Sequence, residues 1–165
     1  MPEPSFSLED KMAIQEVIAL YGHIIDDRQF SRLNEIFTTD AVFDLSGYGG
    51  ERYEGLPAIE ALMLNSNEHP LAHHASNIVI EVDGSEGSKV KTKTDSANQH
   101  QQSLALVTSK GLGVGAGGRV GSVVYRDCFV RINTGHGKER QVMTAWRIQT
   151  RFCELRSVNR IPQPS

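Results

Sequence analysis

The chain has 165 residues, of which 39% are hydrophobic and 22% charged, and its formal net charge is −3 at pH 7. This length predicts one domain with a sizeable core, and the composition argues against disorder. The charge gives no basic surface for nucleic acid, and no stretch reaches the roughly 18 apolar residues of a membrane helix. The polar segment Met1–Asp10 differs from a signal peptide, so we expect a cytoplasmic protein that binds neither nucleic acid nor membrane.

The two cysteines, Cys128 and Cys153, are too few for a disulfide framework. We expect both to be reduced thiols inside strands. No CxxC or HExxH pattern occurs in the chain, so the sequence supports neither a structural zinc site nor a zinc-protease site, and we expect no metal.

The first part of the chain predicts helices around one short strand. Ser7 can cap a helix whose apolar residues recur three and four positions apart, at Ile14, Val17, Ile18, Tyr21, Ile24 and Ile25. A shorter helix with one apolar face is expected over 30–37. The strand Asp40–Leu45 then leads into a loop rich in glycine and tyrosine, Ser46–Gly55, and Pro57 suits the first turn of a third helix.

The rest of the chain predicts long strands joined by turns. They are Ala72–Val82, Lys89–Thr108 (as one strand or a broken pair), Val123–Ile132 and Val142–Leu155. Helices followed by antiparallel strands are typical of an α+β domain. A long curved sheet around the helices would form a cone with an interior pocket. We therefore expect a single domain over 1–165, with its core at about 8–155 and a flexible tail over 156–165.

Glycine is unevenly distributed, and six of the 15 glycines lie between Gly111 and Gly121. The cluster lacks the Lys-Ser/Thr pair of a phosphate-binding P-loop, and a predicted strand follows it where a phosphate loop would lead into a helix. We therefore interpret it as a mobile hairpin loop, Gly111–Gly118, that uses positive φ angles and lies at the pocket mouth or at an oligomer contact.

Tyr21 and the acidic pair Asp26–Asp27 form the first candidate site. Tyr21 lies on the apolar stripe of the first helix, so its hydroxyl needs a buried partner. The two acids lie near the end of that helix, and periodicity alone does not favour either of them. The alternative is a pair of solvated acids in the turn between helices.

A second candidate is the segment that begins with His73 and His74. On a strand, His73 shares one face with Asn77, whereas His74 lies on the opposite and more apolar face. Histidine is the side chain best suited to exchange protons near pH 7. The alternative is a histidine paired with a neighbouring carbonyl or exposed at the end of the strand.

The final strand supplies a third candidate. Arg147 and Arg151 fall on one face of it, and an arginine that reached a pocket could bind a carbonyl or a carboxylate. A solvated strand face is the alternative, and it applies equally to Tyr125 and Asp127 on the preceding strand.

These motifs together resemble the SnoaL-like proteins of the nuclear-transport-factor-2-like (NTF2-like) superfamily over about residues 8–155. The resemblance rests on Tyr21-x-x-x-x-Asp26, Asp40-Ala41-Val42-Phe43, His73-x-x-x-Asn77, Gly121-x-x-x-Tyr125-x-Asp127 and Trp146-Arg147-Ile148. It implies an NTF2-like cone, an α+β barrel with the N-terminal helices packed in a curved antiparallel sheet, often as a homodimer or homotrimer.

The pattern is most similar to scytalone dehydratase, bile acid 7α-dehydratase and the dehydrochlorinase that acts on hexachlorocyclohexane. Those enzymes catalyse elimination reactions in a Tyr/Asp/His pocket, without a metal or an organic cofactor. The resemblance selects Asp26 over Asp27 and His73 over His74. The superfamily also contains ketosteroid isomerases, polyketide cyclases and non-catalytic binding modules, and fold alone does not decide among them.

The resulting expectation is a cofactor-independent dehydratase or lyase for a hydrophobic cyclic small molecule. An isomerase or cyclase, or a non-catalytic ligand-binding module, is the alternative. The catalytic residues would be His73 as general base, Asp26 as its partner and Tyr21 as hydrogen-bond donor. The expected substrate-binding residues are Tyr48, Tyr53, Asn77, Tyr125 and Arg151. Whether Asp95 or Asp127 joins the site stays open.

Overall fold

A computed structural model describes residues 6–66, 72–82, 104–115, 118–136 and 142–160. The elements, in chain order, are α1 (Leu8–Asp26), a short 3₁₀ helix (Phe30–Glu35), β1 (Phe37–Gly47), β2 (Arg52–Glu54), α2 (Leu56–Asn65), β3 (Ala72–Val82), β4 (Leu104–Gly115), β5 (Arg119–His136) and β6 (Val142–Arg160). Within these ranges, no helix has the length and apolar character that crossing a membrane requires.

The six strands form one curved, open sheet in the order β2-β1-β6-β5-β4-β3. Helices followed by this sheet confirm the predicted α+β fold. The sheet is mixed, however, because β1 runs parallel to β6 while the other neighbours are antiparallel. A parallel pair needs a long crossover, which the chain from α2 through β5 provides.

Helix α1 packs its apolar stripe into the core, as its periodicity predicted. All six stripe residues are buried: Ile14, Val17, Ile18, Tyr21, Ile24 and Ile25. Ser7 caps the helix by accepting from the Asp10 N–H, and the Asp10 carboxylate accepts from the Ser7 N–H in return. This capping box fixes where the helix begins.

The second helix is shorter than predicted and is a 3₁₀ helix that ends at Glu35. The chain joins the sheet directly afterwards, because the Ile148 N–H donates to the Ile36 carbonyl at 2.8 Å. β1 therefore begins at Phe37, three residues before the predicted strand. The predicted glycine-tyrosine loop also contains the short strand β2.

The glycine cluster is mostly strand, which corrects the predicted loop over Gly111–Gly118. β4 and β5 remain paired from Leu104↔Val130 to Gly115↔Arg119, so the connection between them is short. Gly118 has the positive φ expected of this turn, +74°. The backbone hydrogen bonds of the two strands thus continue through most of the cluster.

Several other boundaries extend beyond the predicted ones. β5 includes residues 134–136 of the expected turn, and β6 continues to Arg160, past the expected end of the core at residue 155. The expected strand segment at residues 89–103 and the end of the tail, 161–165, lie outside the described residues. Cys128 and Cys153 are free thiols in β5 and β6, as predicted.

Asp10 ties the beginning of α1 to the sheet. Its carboxylate accepts from Trp146 Nε1 at 2.9 Å and from the Arg131 guanidinium, which lies over the Trp146 ring. Burial alone would raise the pKa of Asp10, but the hydrogen bonds from Ser7 and Trp146 and the charge of Arg131 together hold it below its usual value. The ionised carboxylate therefore stabilises the folded state.

We expect Asp10→Asn to lower the free energy of unfolding at pH 7 by about 1–3 kcal/mol, since it weakens charge-assisted hydrogen bonds. A carboxyl whose pKa is lowered on folding stabilises above its unfolded value of about 4 and ceases to do so as pH falls through the folded value. The difference between wild type and variant should therefore shrink below about pH 4.

Urea unfolding at a series of pH values measures this difference. Glu16→Gln, which removes the same charge from an exposed position of α1, is the control and should have little effect. A difference between wild type and Asp10→Asn that is independent of pH would contradict the assigned role.

Candidate active site

The end of α1 and the beginning of β3 meet through Asp26 and His73. His73 Nδ1 lies 2.5 Å from Asp26 Oδ1, and the His73 backbone N–H donates to Asp26 Oδ2 at 2.8 Å. Because a carboxylate only accepts hydrogen bonds, this contact favours the tautomer of the neutral ring that has its proton on Nδ1 and none on Nε2. The neighbouring Asp27 is exposed at the helix C-cap.

Two local features lie beside this contact. Gly22 faces His73, and a Cβ there would lie 3.5 Å from the His73 Cβ, an ordinary van der Waals distance, so α1 and β3 are neighbours without requiring a glycine. The chain leaves α1 through Arg28, which has a φ of +56°, while the Gln29 N–H donates back to the Ile24 carbonyl. The last turn of the helix is thereby completed around Asp26.

Tyr21 lies beside this pair on the buried face of α1. Its ring centroid is 5.7 Å from that of the His73 ring, in an edge-to-face arrangement. Burial raises the pKa of Tyr21 well above its ordinary value, so the phenol keeps its proton and is available as a donor. Burial likewise raises the pKa of Tyr125, to about 12.

Arg151 is buried between these two tyrosines. Its guanidinium carbon lies 4.1 Å from the Tyr21 ring centroid and 4.7 Å from that of Tyr125. With 1% of the residue exposed, the alternative of a solvated strand face is wrong for Arg151. Cation–π contacts of this kind are strongest where water is excluded.

Asp127 neutralises Arg151 through two hydrogen bonds. Arg151 Nε donates to Oδ1 at 2.8 Å, and Nη2 donates to Oδ2 at 2.7 Å. Burial alone would lower the pKa of Arg151, but the charge and hydrogen bonds of Asp127, together with Tyr21 and Cys153, raise that pKa above its ordinary value, so the guanidinium stays charged. Its Nη1 is buried and has no hydrogen-bond partner among the described residues.

These side chains surround one cavity of about 260 Å³. Its walls are formed by Ile18, Ala19, Tyr21, Gly22, His23, His73, His74, Ala75, Gly111, Tyr125 and Arg151. This volume is close to the lower end of ordinary ligand sites, about 300–1,000 Å³. The cavity has room for a small molecule, and its lining combines apolar side chains with histidines, tyrosines and an arginine.

The structure therefore brings together five of the eight predicted site residues: Tyr21, Asp26, His73, Tyr125 and Arg151. Tyr48, Tyr53 and Asn77 are not among the cavity-lining residues. Tyr48 is 41% exposed in the turn after β1, and Tyr53 packs against the core from β2. Asp95, left open by the sequence, lies outside the described residues.

Asn77 departs from its predicted position because β3 is irregular there. The pairing with β4 shifts between Ser76 and Val79, and Asn77 is exposed with a φ of +51°. Asparagine tolerates this left-handed conformation better than most residues. Strict alternation therefore fails along β3, and His74, expected on the apolar face, is exposed and borders the cavity.

Sequence reasoning missed the wall glycines, Gly22 and Gly111, and the pairing of Asp127 with Arg151. A pairing across strands depends on register, and Asp127 lies opposite Arg151 in the β5–β6 ladder. No local signal in a single sequence reveals that register. Among the described residues, no group of three or more histidine, cysteine or acidic side chains is placed to hold a metal ion.

The SnoaL-like domain family model matches residues 7–151, so the chain belongs to this family. Uncharacterised proteins of Mycobacterium tuberculosis and Mycobacterium bovis are 32% identical over 83 residues, which is 49% of this chain and 56% of each relative. The match thus spans little more than half the length of these curated relatives.

Solved structures with the same fold include a type 2 hexachlorocyclohexane dehydrochlorinase, LinA (TM-score 0.61, 18% identity, 94% of this chain and 90% of that one). A scytalone dehydratase-like protein of Novosphingobium aromaticivorans has a TM-score of 0.60 at 14% identity (96% and 91% covered). An NTF2-like protein with a cystatin-like fold from the same species has a TM-score of 0.58 at 23% identity (90% and 82% covered). At these identities the similarity shows the NTF2-like fold.

We expect Asp127→Asn to lower the free energy of unfolding by about 3–5 kcal/mol, because it leaves the Arg151 charge buried without its partner. Glu154→Gln is a matched control. It weakens an ion pair with Arg126 between the same two strands, but that pair is partly exposed and should contribute less than about 1 kcal/mol. Urea unfolding compares the two variants. Equal, small losses would show that Arg151 does not depend on Asp127.

Proposed function

We propose that the protein is a cofactor-independent lyase, of the dehydratase type, that acts on a hydrophobic cyclic small molecule. The observation that carries this proposal is the double hydrogen bond between Asp26 and His73 at the wall of the cavity. This contact orients the His73 imidazole and favours an unprotonated Nε2, as a general base requires.

His73 would act as the base. Nε2 takes a proton from a carbon of the substrate, the electron pair of that C–H bond forms a C=C bond, and the bond to a neighbouring leaving group breaks. Asp26 stabilises the imidazolium that forms, since it already accepts from Nδ1. A positioned base of this kind contributes about 10²–10⁴-fold to the rate.

Tyr21 and Arg151 would stabilise the negative charge that develops on the substrate oxygen or on the leaving group. Tyr21 offers a protonated phenol, and Arg151 offers a buried cation whose Nη1 has no partner within the described part of the chain. Donors fixed in a site of low dielectric stabilise such charge without reorganising. The polar cluster therefore complements the transition state of an elimination.

The comparisons support this proposal by analogy. One neighbour is named for removing hydrogen chloride from hexachlorocyclohexane, and another is scytalone dehydratase-like, so both names describe eliminations on ring compounds. The homodimer or homotrimer and the cytoplasmic location that we expected stay predictions. Large apolar side chains exposed on the sheet, at Val79, Leu106, Leu112 and Val158, are compatible with self-association.

The test is turnover of a panel of cyclic β-hydroxy ketones and halogenated cyclohexanes, followed by mass spectrometry. Loss of water or of hydrogen halide is the expected product change, whereas a product of unchanged mass would indicate an isomerase instead. We expect His73→Ala and Asp26→Asn to lower kcat by about 10²–10⁴-fold. Tyr21→Phe, which keeps the ring but removes the donor, should lower kcat by about 10–10³-fold.

Asp27→Asn is the matched control, because it changes the adjacent carboxylate, which is exposed and is not among the cavity-lining residues. It should keep the wild-type rate. Full activity in His73→Ala would contradict the assignment of the base, and binding without turnover of any compound would favour a non-catalytic module.

A further inference from the structure

Gly111 is the member of the glycine cluster that lies in the cavity wall. It is a buried residue of β4, and the other described glycines of the cluster, Gly113, Gly115, Gly118 and Gly121, are not among the lining residues. The absence of a phosphate-binding pattern left this cluster without a function. Its place in the wall gives one glycine of the cluster a connection to the site.

The space that a side chain would need at Gly111 is already occupied by Tyr125. A Cβ on Gly111 would overlap Cε2 of the tyrosine ring and would lie 3.2 Å from both Cζ and the hydroxyl oxygen. Tyr125 sits on the adjacent strand, two residues from the direct partner of Gly111, and its ring lies across the bare backbone. Alanine at position 111 therefore requires the ring to move.

The ring has little freedom to move except into the cavity. The backbone of β4 lies on one side of it, and the Arg151 guanidinium carbon lies 4.7 Å from its centroid. The Tyr21 ring is a further neighbour, with the two centroids 6.3 Å apart. Tyr125 itself lines the cavity, so a displaced ring would occupy space that is open in the wild-type chain.

We propose that Gly111 is a specificity-determining residue, which keeps the Tyr125 ring against β4 and so sets the size of ring system that the cavity admits. The proposal deepens the proposed function, because it takes this cavity as the substrate site. The substrates that we expect are molecules with a single ring or two fused rings. They would lie against Tyr125 with a polar group toward Arg151.

The first part of the test is a double-mutant cycle on thermal unfolding, which needs neither substrate nor turnover. Overpacking of this kind should lower the Tm of Gly111→Ala by about 3–10 °C. In a Tyr125→Ala background the same substitution should not lower the Tm, since the overlapping ring atom is gone. Gly121→Ala is the control, because among the described residues a Cβ there would approach only the Ser157 carbonyl oxygen, at 4.0 Å.

The second part is calorimetric titration of the full chain with phenol and 2-naphthol as probes of one and two rings. Wild type should bind both. Gly111→Ala should weaken 2-naphthol by at least about 10-fold while phenol changes by less than about 3-fold. Since Tyr125 is part of the binding wall, the double variant is compared with Tyr125→Ala alone, and the added Gly111→Ala should change the 2-naphthol affinity of that variant by less than about 3-fold. This size dependence separates a specificity role from a structural one, which would weaken both probes alike.

An equal loss of both probes in Gly111→Ala, an undiminished cost of Gly111→Ala in the Tyr125→Ala background, or a wild-type chain that binds neither probe would each overturn the proposal. A lack of enzymatic activity would not overturn it, because both measurements are made at equilibrium and need no turnover. If the chain discriminates by ring size but His73→Ala does not change turnover, the specificity role of Gly111 would stand and the assignment of His73 as the base would be refuted.

Discussion

The candidate site depends on one interaction, in which both oxygens of Asp26 accept from His73. One hydrogen bond holds the backbone of β3 and the other holds the imidazole, so the carboxylate determines both where the strand passes the helix and how the ring is oriented. A hydrogen bond to a charged acceptor contributes about 1.5–3 kcal/mol, more than a neutral one. The helix end at Arg28 places Asp26 in the last turn of α1, where its carboxylate reaches β3.

The buried charges beside this cavity, those of Arg151 and Asp127, are partners of each other. Arg151 is held by Asp127 and covered by the rings of Tyr21 and Tyr125. Isolated, such a guanidinium would be strongly unfavourable in the core, whereas paired it remains charged, and its Nη1 has no hydrogen-bond partner among the residues that the structure describes. The arrangement provides a protonated phenol, a cation and an oriented imidazole around a small cavity.

Much of this could be predicted from the sequence where the physics is local. The apolar period of α1 identified every buried residue of its stripe, including Tyr21. The α+β class followed from the order of helices and strands, whereas the NTF2-like fold and the choice of Asp26 as the partner of His73 required the resemblance, because periodicity did not distinguish Asp26 from Asp27. The structure does not place Asn77 in the cavity wall beside His73, because a register shift between Ser76 and Val79 interrupts the alternation of β3. The pairing of Asp127 with Arg151 was missed because it depends on strand register. The glycine cluster was misjudged because glycine in a strand was taken as a loop signal, whereas Gly111 makes room for a ring on the next strand.

The most direct test of the central claim is the tautomer of His73, measured by ¹⁵N NMR of the histidine ring nitrogens in the full chain. The account predicts that the neutral His73 ring carries its proton on Nδ1, in a hydrogen bond to Asp26, with Nε2 unprotonated, and that this preference disappears in Asp26→Ala. A neutral ring protonated on Nε2, or a wild-type tautomer unaffected by Asp26→Ala, would contradict it.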